Sequence, residues 1–128
     1  GQVIYPQRCA FCHRAGKAGY VLGPDLVSVK ANGPEKLLAS IVDPNREVSA
    51  NYVAYDVALL DGSTQTGLLG EETLTHVRIK LPLGKELLLP RTQVKGMRSG
   101  GKSIMPEGLE AGLTPQQMSD LLAFIVGL

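Results

Sequence analysis

Cys9-Ala10-Phe11-Cys12-His13 is the stretch of this chain best equipped for chemistry. Two thiols three residues apart, with an imidazole directly after the second, form the CxxCH pattern of covalent c-type haem attachment. On one turn of helix, residues three apart share a face, so both thiols reach the two vinyl groups along one porphyrin edge. The next residue then brings its imidazole under the iron as the proximal ligand. Other chemistries draw on the same residue types. A thioredoxin-type dithiol needs a βαβ setting, whereas a Gly-rich loop follows here. A structural zinc site needs four ligands; only His76 and carboxylates remain to complete one, with Cys12 and His13 adjacent. A Cys9–Cys12 disulfide suits the spacing but leaves His13 without a role.

Met97, Met105 and Met118 are the thioethers of the chain, and His/Met ligation makes an electron-transfer iron of raised potential. Met118 falls near the apolar face of a C-terminal helix and reads as core. Met97 stands in a Gly-flanked basic loop. Met105 precedes the last helix in a segment stiffened by Pro106 and is the favoured ligand; a sixth position left open or taken by His76 is the alternative. On the proximal side, Gly23-Pro24-Asp25-Leu26 offers the Pro24 carbonyl as acceptor for the second ring N–H of His13, the usual partner of a metal-bound histidine. Leu26 would then touch the haem face. A Gly-Pro turn with no haem contact competes with that reading.

These residues need elements to hold them. Val3, Ile4 and Tyr5 with the motif itself predict a short N-terminal helix. Asn32 to Val42 predicts a second, with Asn32 or Gly33 as cap, Pro34 in its first turn and an apolar stripe of Leu37, Leu38, Ile41 and Val42. Asp43-Pro44-Asn45 ends it. The period then changes: Val53, Tyr55, Val57 and Leu59 alternate with smaller or polar residues, and Asp61-Gly62 signals a hairpin. Ser63–Leu69, Leu74–Lys80 and Glu86–Leu89 predict further strands, giving a meander or small barrel of about four. Thr92 to Lys102 reads as an irregular, basic surface loop. Thr114-Pro115-Gln116-Gln117 is a capping box opening a last helix that runs to Gly127.

Composition narrows the classes. The 128 residues predict one domain; 44% are hydrophobic, Trp is absent, and a buried flat cofactor would supply part of the core. A formal net charge of +1, from 13 basic and 12 acidic residues, gives no case for nucleic acid or an anionic membrane. No apolar run reaches the roughly 18 residues of a membrane span. The abrupt start at Gly1 predicts a processed chain or an excised domain, and haem c attachment implies a periplasmic or otherwise extracytoplasmic compartment.

Taken together, CAFCH, GPDL, IMPEGL and a capped C-terminal helix resemble a mono-haem, class I-like cytochrome c. More narrowly, Ile41 to Val48 (IVDPNREV) and Asn51 to Tyr55 (NYVAY) are similar to the haem-binding c-type domain family of planctomycetes and verrucomicrobia. Its members commonly form the C-terminal part of large secreted proteins, behind dehydrogenase-like or helical-repeat domains. The resemblance spans essentially the whole chain. It implies a mainly α cytochrome c fold, three to four short helices around haem c, with a small antiparallel β subdomain inserted at 51–94. It also implies thioethers at Cys9 and Cys12, axial ligands His13 and Met105, and Ile104 beside the haem. The β-rich stretch departs from compact class I chains, where middle-segment polar residues bind the haem propionates. Arg46, Asn51, Tyr52 and Tyr55 are the candidates here, since a buried carboxylate needs donors.

The function so implied is electron transfer, Fe(III)/Fe(II), from a fused or partner dehydrogenase, with no substrate turnover by the domain itself. Arg14, Lys17, Lys95, Arg98 and Lys102 would ring the haem edge and steer an acidic partner. The alternative is a haem-based ligand sensor or peroxidase-like module with an open sixth site. The β insert is either an interaction or self-association surface, or a cover for one haem edge.

Overall fold

The computed structural model describes residues 1–128. Four helices, α1 (Ile4–Arg8), α2 (Leu26–Val29), α3 (Pro34–Val42) and α4 (Pro115–Val126), flank five strands. The strands are β1 (Val53–Leu59), β2 (Thr64–Glu72), β3 (His76–Lys80), β4 (Glu86–Pro90) and β5 (Val94–Ser103), with short 3-10 turns between elements. They form one antiparallel sheet in the order β4-β3-β2-β1-β5.

This corrects the expectation of a mainly helical cytochrome c fold with a small β insertion. The sheet has five strands, continues to Ser103, and involves about as much chain as the helices. The basic, Gly-containing stretch predicted as a surface loop is β5. Backbone pairing explains it: Val57 opposes Met97 and Asp56 opposes Arg98, so a strand that already has a partner organises its neighbour despite Gly96, Gly100 and Gly101. Met97 packs its side chain against the sheet core and not towards the CxxCH motif. Lys95, Arg98 and Lys102 accordingly belong to a strand rather than to a mobile loop.

Two apolar cores result. Val57, Val77 and Ile79 are fully buried in the sheet, with Leu87 and Leu89 of β4 and Val94 and Met97 of β5 packed on them. Both outer strands therefore reach the same cluster, and the sheet coils to allow it. Register shifts within β1–β5 and β2–β3 supply that bend. The second core joins Ile4 and Tyr5 of α1, Leu26 of α2, Leu37 and Ile41 of α3, and Met118, Leu121, Leu122 and Ile125 of α4.

The helices are set by local chemistry. The Thr114 hydroxyl accepts from the Gln117 N–H at 3.1 Å while the Gln117 side-chain oxygen accepts from the Thr114 N–H at 2.9 Å, so α4 starts with a complete capping box. Gly33 caps α3 and Pro34 occupies its first turn. The Tyr5 and Phe124 rings stack at 5.5 Å and 36°, joining α1 to α4. Arg8 clamps the other end of α1, donating to the carbonyls of Leu109 (2.6 Å) and Ala111 (2.7 Å). No helix is long and apolar enough to cross a membrane.

Sheet and helices meet mainly through turns. The Leu83 N–H, in the β3–β4 connection, donates to the Phe11 carbonyl between the two cysteines at 2.8 Å. Leu83 holds a left-handed conformation (φ 65°) to do so, a geometry that a non-glycine residue keeps only where its surroundings impose it.

Candidate functional site

The CxxCH segment closes a tight turn, with the N–H groups of Cys12 and His13 donating to the Cys9 carbonyl at 3.1 and 2.8 Å. The Cys12 carbonyl then accepts from both Leu22 (2.8 Å) and Gly23 (2.8 Å), drawing the Gly23-Pro24 turn against the motif. From below, the Tyr5 hydroxyl bridges the carbonyls of His13 (2.8 Å) and Ala18 (3.0 Å). The histidine is thus fixed through its backbone before its ring is considered.

The ring is fixed too. His13 Nδ1 lies 2.7 Å from the Pro24 carbonyl. A carbonyl only accepts, so Nδ1 carries the proton and Nε2 keeps its lone pair for a metal. Burial lowers the His13 pKa, with the Pro24 bond opposing it, which favours the neutral, ligating imidazole. Gly23 makes the room: a Cβ there would stand 2.5 Å from His13 Cε1 and 2.9 Å from Nδ1.

Asp25 holds the far side of this turn. It accepts from the Val27 N–H at 2.9 Å, capping α2, and from Arg14 Nε at 2.9 Å. The Val27 N–H first, and Arg14 second, hold its carboxyl below the usual range. A carboxyl whose folded pKa is depressed stabilises the fold above its unfolded pKa, and that contribution fades as pH falls through the folded value. Asp25→Asn is therefore expected to be less stable than the parent at neutral pH, with the difference shrinking as acid protonates the Asp25 carboxyl. Urea unfolding followed from neutral pH into acid checks this; a difference that stays constant would refute it. Arg14, engaged here, is not a free cation for steering.

Beside the motif lies a cavity of about 690 Å³, within the size range of small-molecule and cofactor sites. Of the predicted site residues, Cys9, His13, Pro24, Leu26, Arg46, Tyr52, Ile104 and Met105 line it. Cys12 is half-buried but is not part of the wall, and neither are Asn51, which is exposed, and Tyr55, which is half-buried on β1. Those last two are not brought to the cavity. Leu37 and Ile41, two of the four residues of the apolar stripe predicted for α3, belong to the helical core and also line the cavity, as does Ile125. A helix face buried against a cofactor and one buried against protein have the same periodicity, so the pattern alone could not separate them.

Neither cysteine is in a disulfide. Burial pushes the Cys9 thiol up to about 11 and raises that of Cys12. Redox-active dithiols work through a lowered thiol pKa, so this environment does not suit that alternative. The donor set does fit a haem c: two thiols, an imidazole with Nε2 free, and a thioether line or flank one largely apolar cavity, and a glycine clears the imidazole. Compared with known protein families and with curated proteins, the chain matches none.

Proposed function

We propose that this chain is an electron carrier in which Cys9 and Cys12 would hold one haem c covalently and His13 and Met105 would bind its iron. The observation that carries the reading is that an oriented imidazole and a methionine line the same apolar cavity beside the CxxCH turn. Bound there, the haem supplies a one-electron Fe(III)/Fe(II) couple.

The chain's own residues do the rest. Pro24 fixes the tautomer and plane of the His13 ring and raises its basicity as a ligand. Leu26, Leu37, Ile41 and Ile125 exclude water, which keeps the local dielectric low and tunes the potential. Arg46 and Tyr52, also in the wall, are the donors suited to the haem carboxylates. The partner is a redox protein or a fused dehydrogenase in an extracytoplasmic compartment.

Protein matured with haem attached is expected to display the weak charge-transfer band of thioether-ligated ferric haem. Met105→Ala should abolish the band, and Met97→Ala, a change in the sheet core, should keep it. Absence of the band in the parent, together with ready carbon monoxide uptake by the ferrous form, would replace this reading with an open-site ligand sensor.

A further inference from the structure

Residues 104–113, which carry Met105, contain no helix or strand, so side-chain and backbone bonds to other segments must hold them. One side chain bears on both flanks of the methionine. The Asn45 amide oxygen accepts from the Ser103 N–H at 2.8 Å, and its amide nitrogen donates to the Glu107 carboxylate at 2.7 Å. The Ser103 hydroxyl in turn accepts from the Met105 N–H at 3.1 Å, and the Ile104 N–H donates to the Tyr52 carbonyl at 2.8 Å. The amide orientation is unambiguous: flipped, it would set N–H against N–H and oxygen against a carboxylate.

We propose that Asn45 is a positioning residue that locks the Met105 loop in place from the end of α3, an inference that rests on the haem reading above. Asn45 follows Asp43, where α3 ends, and the buried Pro44. The helix whose Leu37 and Ile41 line the cavity therefore also sets the height of the methionine over it. A carboxamide is required because one partner is a donor and the other an anionic acceptor. Aspartate would keep the Ser103 bond and oppose a second carboxylate to Glu107.

That polarity gives the test. In matured protein, Asn45→Asp is expected to weaken the charge-transfer band and to speed carbon monoxide uptake by the ferrous form about threefold, the scale of one lost solvent-exposed hydrogen bond. Combining it with Glu107→Gln lets the new amide donate to the new carboxylate, and should restore both spectrum and uptake. Amide exchange at Ser103 and Met105, which does not depend on haem chemistry, should rise in the single variant and fall back in the double. A generic loss of stability would not be reversed by exchanging donor and acceptor. If Met105→Ala abolishes the band while Asn45→Asp leaves band and uptake as in the parent, the proposal fails and the haem reading stands. If the double variant is no closer to the parent than the single one, the proposal also fails. If Met105→Ala itself leaves the band in place, the ligand assignment falls and takes the proposal with it.

Discussion

Gly23→Ala is expected to displace the His13 ring and to destabilise the matured protein by about 1–3 kcal/mol, the usual cost of forcing an extra carbon into a packed site. The contacts decide the direction. The new Cβ would meet three ring atoms of His13, at 2.5, 2.9 and 3.0 Å. The ring cannot yield freely, because its Nδ1–H is bonded to Pro24, the residue next to the substitution. Nor can residue 23 move outward cheaply, since its N–H is held by the Cys12 carbonyl at 2.8 Å. The substitution should therefore be felt twice, in the unfolding free energy and in the absorption spectrum. Gly96→Ala is the control: its Cβ meets nothing within 4 Å, and it should leave the spectrum as it is. A Gly23→Ala protein with the parent's spectrum and unfolding midpoint would mean that His13 is not confined as described.

The same turn marks how far the sequence could be read. CxxCH and Gly-Pro are local signals, since the spacing of Cys9 and Cys12 and the carbonyl of Pro24 act over a few residues. The capping box at Thr114 is local as well, and α4 begins where it says. What escaped was set by distant pairing. Nothing in Lys95-Gly96-Met97-Arg98 marks a strand until β1 lies beside it, and only the pairing of Val57 with Met97 turns that side chain into the sheet core. Asn45 was legible only as part of a helix stop. Its two partners lie 58 and 62 residues further on, and no periodicity reports such a bond. Asn51 and Tyr55 have the chemistry of donors and stand in the middle of the chain. Folding gives Tyr55 to β1, opposite Gly67 and Ser99, and leaves Asn51 exposed.

Leu121→Ala and Ile79→Ala are expected to have the largest effects on stability, and to have them in different places. Leu121 is 2% exposed in the helical core and Ile79 is 0% exposed in the sheet core. Truncations of this kind cost about 2–5 kcal/mol. The two clusters share no residue, and the substantial packing is helix on helix or strand on strand. The bonds that cross are few, among them Leu83 to Phe11 and Ser103 to Asn45. Loss at one core should thus leave the other largely intact: Leu121→Ala should speed amide exchange in α1, α3 and α4 more than in β1–β3, and Ile79→Ala should do the reverse. The spectrum separates them further, because Leu121 belongs to the core that contains Leu26, Leu37 and Ile41 of the cavity wall, whereas Ile79 does not touch it. Equal loss of protection in both halves from either change would show that the turns couple the cores tightly enough to make one cooperative unit. The Leu83–Phe11 bond is then the first place to look, since it ties the β3–β4 turn to one of the two residues between the cysteines.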